Sequence, residues 1–128
     1  MENIIIAATE RTPEVSFDFA SGKLLMRGES YPEDAASFFG PLYQGLKQYL
    51  SEIEGKGVSI DMHMIYFNSS SAKAIMRLFQ LIEAAGATNT VQVNWHFDPD
   101  DDTMQEFGED FAEDFSQAKF NLCPKAAE

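Results

Sequence analysis

The chain has 128 residues, a formal net charge of −12 and 45% apolar residues, among them eleven phenylalanines. This length suits a single domain over residues 1–128, and the apolar content excludes a disordered chain. The negative charge disfavours nucleic acid and anionic membrane surfaces as partners, but it permits basic proteins. The N-terminus, MENIIIAATE, carries an acid and only a short apolar run. It resembles neither a signal peptide nor a membrane anchor, so we expect a cytoplasmic protein.

The first part of the chain is predicted to form three strands and a helix. ENIIIAA predicts a short strand, and the alternation in EVSFDF and KLLMRG around the turn ASG predicts a hairpin over residues 14–28. Apolar residues then recur every three or four positions from SYPEDAASFF to LSEIEG, which indicates a helix. Ser30 and Glu33 have the spacing of a capping box at its start. Pro41 is predicted to kink this helix or to split it in two.

The second part alternates between strands and helices. GVSIDMHMIYF is predicted to be a strand, with its two faces formed by Ile60, Met62, Met64 and Tyr66, and by Asp61, His63, Ile65 and Phe67. A helix over residues 70–85 ends at Gly86, and TVQVNWHF predicts the next strand. An acidic turn, a helix with a stripe of phenylalanines, and a short strand in AKFNLCP complete the chain. The order β-β-β-α-β-α-β-α-β predicts an α/β fold with a mixed sheet and with helices packed mainly on one face.

The junction between the fourth strand and the second helix carries Asn68 and three consecutive serines, Ser69, Ser70 and Ser71. These side chains could cap the helix, because the first backbone N–H groups of a helix lack partners. A catalytic serine is disfavoured, since the glycines of a nucleophile elbow are missing and both histidines are predicted in mid-strand. A phosphorylated serine is also compatible, because a helix N-terminus favours an anion and Lys73 lies one turn further on.

Two other groups of residues could bind an ion or a small ligand. Asp98, Asp100 and Asp102 have the spacing of the first ligands of an EF-hand, with Glu109 at the twelfth position. Thr103, however, stands where that loop needs glycine, so a solvated helix face or an acidic docking face is favoured over calcium. A two-histidine metal site would form if the strands of the two histidines, at positions 63 and 96, were neighbours, but no third ligand stands out. We therefore predict no metal and no cofactor, and keep a small-ligand or calcium-binding module at the acidic turn 98–109 or the polar sheet face as the alternative function.

The stretch YFNSSSAKAIMRLFQLIEAAG resembles the strand-to-helix junction of STAS domains, which have the anti-sigma-factor-antagonist fold. The whole chain more closely resembles the SiaC-type regulatory phosphoproteins of bacteria. The stretches that carry this resemblance, in order along nearly the full length, are ATERTPEVSFDF, GESYPEDAASFFGPL, YFNSSSAKAI and VNWHFDPDDDTMQEFGEDFAEDF. The resemblance implies a single-domain, STAS-like α/β protein.

The same resemblance implies a regulatory protein that is not an enzyme. In such systems a dedicated kinase phosphorylates the protein, a PP2C-type phosphatase removes the phosphate, and the unphosphorylated form binds and activates a diguanylate cyclase. The product, cyclic di-GMP, promotes aggregation and biofilm formation. Carried over by position, the phosphoacceptor is Ser69, and Asn68, Ser70, Ser71 and Lys73 frame a partner-binding loop. The family acceptor is often threonine and STAS domains have aspartate at the position of Asn68, while Ser70 and Ser71 keep the assignment of the acceptor open.

Overall fold

The structure is a computed structural model, and it describes residues 2–125; Met1 and residues 126–128 of the predicted domain lie outside the described residues. Within that range the chain forms six strands and three helices in the predicted order. The elements are β1 (Ile4–Ile6), β2 (Glu14–Asp18), β3 (Lys23–Ser30), α1 (Ala35–Ser51), β4 (Gly57–Phe67), α2 (Ser69–Ala85), β5 (Thr90–Phe97), α3 (Asp102–Ala112) and β6 (Lys119–Pro124). None of the described helices has the length and apolar character needed to cross a membrane.

The strands lie side by side in chain order, from β1 to β6, in one mixed sheet. The first three pair antiparallel, which confirms the predicted hairpin, and β3 to β6 run parallel. Each helix therefore connects two neighbouring parallel strands, and all three connections step in the same direction across the sheet. Because such connections are right-handed, the helices lie on one face. The other face, which we call the open face, carries the half-exposed residues of the strands.

The core lies between the helices and the sheet, and its centre is aromatic. Trp95 of β5 is 1% exposed, and its indole N–H donates to the carbonyl of Met104 in α3 at 2.9 Å. The rings of Phe79 and Phe111 lie with their centroids 6.3 and 5.4 Å from that of Trp95. The predicted phenylalanine stripe of the last helix therefore forms part of the core. Such interlocking rings fix the positions of α2 and α3 on the sheet.

The start of α1 differs from the sequence prediction. The N-cap is Asp34, whose carboxylate accepts from the N–H and the hydroxyl of Ser37 at 3.2 and 2.7 Å. The predicted capping box at Ser30 and Glu33 is wrong, because Ser30 still pairs with β4 as the last residue of β3. The predicted split at Pro41 does not occur either: α1 is one helix, with Pro41 on its exposed side. Its buried face contacts the core before and after the proline, which outweighs one missing backbone hydrogen bond.

A β-bulge changes the two faces of β4 near its end. Gly28 pairs with Met64 and Glu29 with Tyr66, so Ile65 is an extra residue on β4. As a result Phe67 is 4% exposed and packs in the core, whereas Tyr66 is 49% exposed. The strict alternation predicted from the sequence is therefore wrong for these last two residues. The bulge sets the direction in which the chain enters the serine junction.

Candidate functional site at the start of helix α2

Asn68 is the residue that turns the end of β4 into the start of α2. Its backbone is extended, and its side-chain Oδ1 accepts the N–H of Ser71 at 2.9 Å. Its own N–H donates to the carbonyl of Ser30 at 3.0 Å, which continues the pairing of β3 and β4 by one residue. Capping at this junction is therefore confirmed, and the cap is the asparagine rather than a serine. The cap therefore uses none of the three serine hydroxyls.

The three serines have different environments. Ser69 and Ser70, at the first two positions of α2, are exposed. Ser71 is 0% exposed, and its hydroxyl lies 2.8 Å from that of Ser30, which is also 0% exposed. A phosphate on Ser71 would require this contact between β3 and α2 to open. Of the acceptors that the sequence leaves open, Ser69 and Ser70 are therefore the accessible ones.

The electrostatics at the two exposed hydroxyls favour an anion. The N–H groups of Ser69 and Ser70 belong to the first turn of a 17-residue helix, at the positive end of the helix dipole. N–H groups in a first turn have no carbonyl of the same helix to bond to. The first turn of α2 holds no acidic residue. Lys73 is exposed one turn further on, and the guanidinium carbon of Arg77 lies 4.6 Å from the ring centroid of Tyr43. These cations stand out on a chain with a net charge of −12.

A surface groove that reaches Ser70, but not Ser69, runs between the first halves of the two helices. We call it the α1–α2 groove; it is lined by Ala35, Ala36, Phe39, Gly40, Tyr43 and Gln44 of α1 and by Ser70, Lys73, Ala74 and Arg77 of α2. On the strand side of the junction, the exposed ring of Tyr66 contacts Tyr31 edge-on, with centroids 6.1 Å apart. Ser70 thus lies at the groove with its two cations, Ser69 precedes it by one residue, and the exposed Tyr66 lies on the strand side of the junction. A phosphate there would lie inside any protein interface that covers this end of the molecule.

The acidic turn does not form an EF-hand. The side chain of Asp98 accepts the N–H of Asp100 at 2.9 Å, and that of Asp101 caps α3 by accepting the N–H of Met104 at 3.1 Å. These carboxylates shape the turn and the helix start instead of converging on one point. Among residues 2–125, the group of three or more potential metal ligands within ligand distance lies elsewhere, on the open face.

That group consists of Asp61 and His63 of β4 and His96 of β5. Sequence reasoning missed Asp61 as a third ligand, although it stands two residues before His63 and therefore shares its face of the strand. Burial lowers the pKa of His63, and the neighbouring His96 and Lys125 lower it further. Cys123 pairs with His96 across β5 and β6, and burial, aided by Asp61, raises the pKa of its thiol.

Comparison with known proteins relates these features to a family. The family model described as SiaC family regulatory phosphoprotein matches residues 6–125. The chain belongs to the SiaC family. A protein of Pseudomonas aeruginosa described as uncharacterised is 32% identical over 117 residues, which cover 91% of this chain and 92% of that protein. The resemblance on which the sequence analysis relied is thereby confirmed.

Solved structures of the family have the same fold as this chain. Apo-SiaC from Pseudomonas aeruginosa matches with a TM-score of 0.87 at 32% identity, covering 96% of this chain and 99% of that one. A crystal structure of the diguanylate cyclase SiaD in complex with its activator SiaC, from the same organism, matches with a TM-score of 0.88 at 31% identity. That match covers 95% of this chain and 99% of the other. The predicted single-domain, STAS-like α/β fold is confirmed by this similarity.

Proposed function

We propose that this chain is a non-enzymatic switch protein that binds and activates a diguanylate cyclase, and that phosphorylation of Ser69 prevents this binding. The family of regulatory phosphoproteins and the similarity to a SiaC that activates a cyclase support this function. The observation that carries the proposed mechanism is the environment of Ser69. It is an exposed hydroxyl at the first position of α2, directly after a cap that does not use it.

Phosphorylation would change docking without unfolding the domain. A phosphate adds about −1.5 to −2 charges, and the N-terminus of α2 with Lys73 accommodates an anion. The same charge placed in a protein interface without a partner costs several kcal/mol, because it must lose its water. A cost of that size lowers affinity by orders of magnitude. The bare hydroxyl of Ser69, by contrast, leaves the α1–α2 groove free for the cyclase.

The proposed pathway needs two further proteins. A Ser/Thr kinase transfers the phosphate to Ser69, and a PP2C-type phosphatase removes it and restores the cyclase-binding form. The output is cyclic di-GMP, which promotes aggregation and biofilm formation, and the proposed place of action is the cytoplasm. The partners contact the residues around the acceptor, namely Asn68, Ser70 and Lys73. Ser71 holds the start of α2 against the sheet through the hydrogen bond with Ser30.

The experiment that tests the acceptor is phosphorylation by the cognate kinase, followed by intact-mass and peptide mass spectrometry. Wild type, Ser69→Ala and Ser70→Ala are compared, because both changes remove one exposed hydroxyl and neither removes the cap. We expect one phosphate on the wild type and on Ser70→Ala, and none on Ser69→Ala. A phosphate that persists in Ser69→Ala and is lost in Ser70→Ala would overturn the assignment to Ser69. A wild type that never accepts a phosphate would overturn the switch itself.

A further inference from the structure

The open face of the sheet carries a side-chain cluster that the proposed switch does not use. Strands β4 and β5 are parallel neighbours, and Asp61 pairs with Asn94. Two residues further along both strands, His63 and His96 therefore stand side by side on the face opposite the helices. Their imidazole rings are stacked, with centroids 4.0 Å apart and planes 5° from parallel. The chain has only two histidines, and the fold brings both to one place.

The potential ligand atoms of Asp61, His63 and His96 all lie within 4.8 Å of one another. A tetrahedral zinc ion with bonds of about 2.0–2.2 Å separates its ligand atoms by roughly 3.3–3.6 Å. Because an imidazole binds a metal in the plane of its ring, the two stacked rings must turn toward a common point to bind one ion. The side chains are half-exposed, so they can turn while the backbone stays in place. Two neutral imidazoles and one carboxylate are ligands that suit zinc and other late first-row metals rather than calcium or magnesium.

The surroundings of Asp61 hold its carboxylate in place. Its Oδ1 accepts from the side-chain amide of Asn94 at 3.1 Å and lies 2.9 Å from Nε2 of His96. The oxygen of Asn94 in turn accepts from the amide of Asn121 at 2.9 Å, so a chain of amides from β5 and β6 supports the carboxylate. Metal-binding carboxylates are typically hydrogen-bonded by neighbouring side chains in this way. Two cations lie near the cluster: Arg27, which stands beside His63 in the register and is paired with Glu14 at 2.7 Å, and Lys125, which follows β6.

We propose that Asp61, His63 and His96 form a binding site for one divalent transition-metal ion, with Zn²⁺ as the best fit. Three protein ligands leave one position of a tetrahedral ion for water or for a side chain of a docked partner. The site lies on the open face, whereas Ser69 and the α1–α2 groove lie at the helices. The sequence alone predicted no metal, and only the register of β4 and β5 brings His96 beside Asp61 and His63.

Isothermal titration of the metal-free, untagged protein with Zn²⁺ tests this site, together with thermal unfolding with and without the ion. We expect saturable binding of one ion and a higher unfolding temperature when the ion is bound. His63→Asn and His96→Asn should each weaken binding at least about tenfold, since each removes one of three ligands. Asp61→Asn should also weaken it, whereas Asp100→Asn removes the same charge from the acidic turn and should leave binding unchanged.

Several results would overturn the proposal. One is the absence of saturable binding to the wild type, and another is an unchanged affinity in both histidine variants. A third is an equal loss of affinity in Asp61→Asn and Asp100→Asn, which would mean adventitious binding by surface carboxylates. Circular dichroism of the metal-free variants establishes that each is folded. Should one variant be unfolded, the visible absorption spectrum of Co²⁺ bound to the wild type provides a second measurement. Tetrahedral ligation by imidazoles makes this spectrum stronger and shifts it, whereas binding by surface carboxylates alone leaves the weak spectrum of the aqueous ion.

Discussion

Ser30 at the end of β3 and Ser71 in the first turn of α2 share a hydrogen bond of 2.8 Å between two completely buried hydroxyls. The two residues are 41 positions apart in the chain. This contact fastens the start of α2 to the sheet directly beneath the exposed serines. The proposed switch therefore lies on a helix start that is bonded to the sheet, and we expect a phosphate on Ser69 to change the surface while this contact stays closed.

Removing either hydroxyl should destabilise the fold. Ser30→Ala and Ser71→Ala each leave one buried hydroxyl without this partner, which costs about 1–3 kcal/mol. The double variant should lose less than the sum of the two single changes, because it leaves neither hydroxyl unpaired. Urea unfolding of the four proteins measures this coupling. Additive losses would show that the hydrogen bond does not connect the two residues energetically.

The cap of α2 should respond to the identity of residue 68. Asn68→Ala removes the acceptor for the N–H of Ser71 and should lower the free energy of unfolding by about 1 kcal/mol. Asn68→Asp keeps an oxygen at the same place and adds a negative charge at the positive end of the helix, so its stability should equal or exceed that of the wild type. Both values follow from denaturant unfolding at neutral pH. A stable Asn68→Ala protein would contradict the role of the cap.

Two helical glycines should respond differently to alanine. Apart from its neighbours in the chain, a Cβ on Gly40 of α1 would meet nothing within 4 Å, but it would crowd the ring of Pro41 in the helical conformation. The gain from replacing a helical glycine is thus largely offset, and Gly40→Ala should change the free energy of unfolding by less than about 1 kcal/mol. A Cβ on Gly108 of α3 would lie 2.5 Å from Cδ1 of Trp95, so Gly108→Ala should lower it by about 1–3 kcal/mol as α3 moves away. Thermal and urea unfolding compare the pair. Equal effects of the two changes would contradict the close packing of α3 on β5.

Glu83 of α2 should make the stability depend on pH. Partial burial alone would raise the pKa of Glu83, but bonds from the N–H groups of Ala118, Ser116 and Gln117 outweigh it and hold the pKa below its ordinary value of 4.5. The folded pKa is thus lower than the unfolded one. The contribution of the carboxylate is complete above the unfolded pKa and is lost as the pH falls through the folded pKa.

Glu83→Gln tests this by urea unfolding between pH 7 and about pH 3. The wild type should be the more stable protein at pH 7, and the difference should shrink as the pH falls below 4.5 and Glu83 becomes protonated. Glu109→Gln on the exposed side of α3 is the matched control and should show little difference at either pH. A difference for Glu83→Gln that stays constant with pH would contradict the lowered pKa.

The sequence was sufficient for the order of the elements because each strand and helix buries one face with a clear period. It failed where distant contacts decide the local structure. Ser30 does not cap α1 as its pattern predicts, because it pairs with β4 instead. Ile65 is the extra residue of a bulge only because of the register between β4 and β3. The burial of Ser71 could not be predicted from a run of three identical residues, since only its contact with Ser30 of β3 distinguishes it from Ser69.

In the proposed switch, a phosphate on Ser69 controls binding to a diguanylate cyclase. The most direct measurement is isothermal titration of the cyclase with the unphosphorylated and the kinase-treated protein, with kinase-treated Ser69→Ala as the control. We expect the unphosphorylated protein and the control to bind, and the phosphorylated protein to bind at least about a hundredfold more weakly. Treatment with a PP2C-type phosphatase should restore binding. Equal affinity of the two forms, or no binding of the unphosphorylated form, would contradict the account.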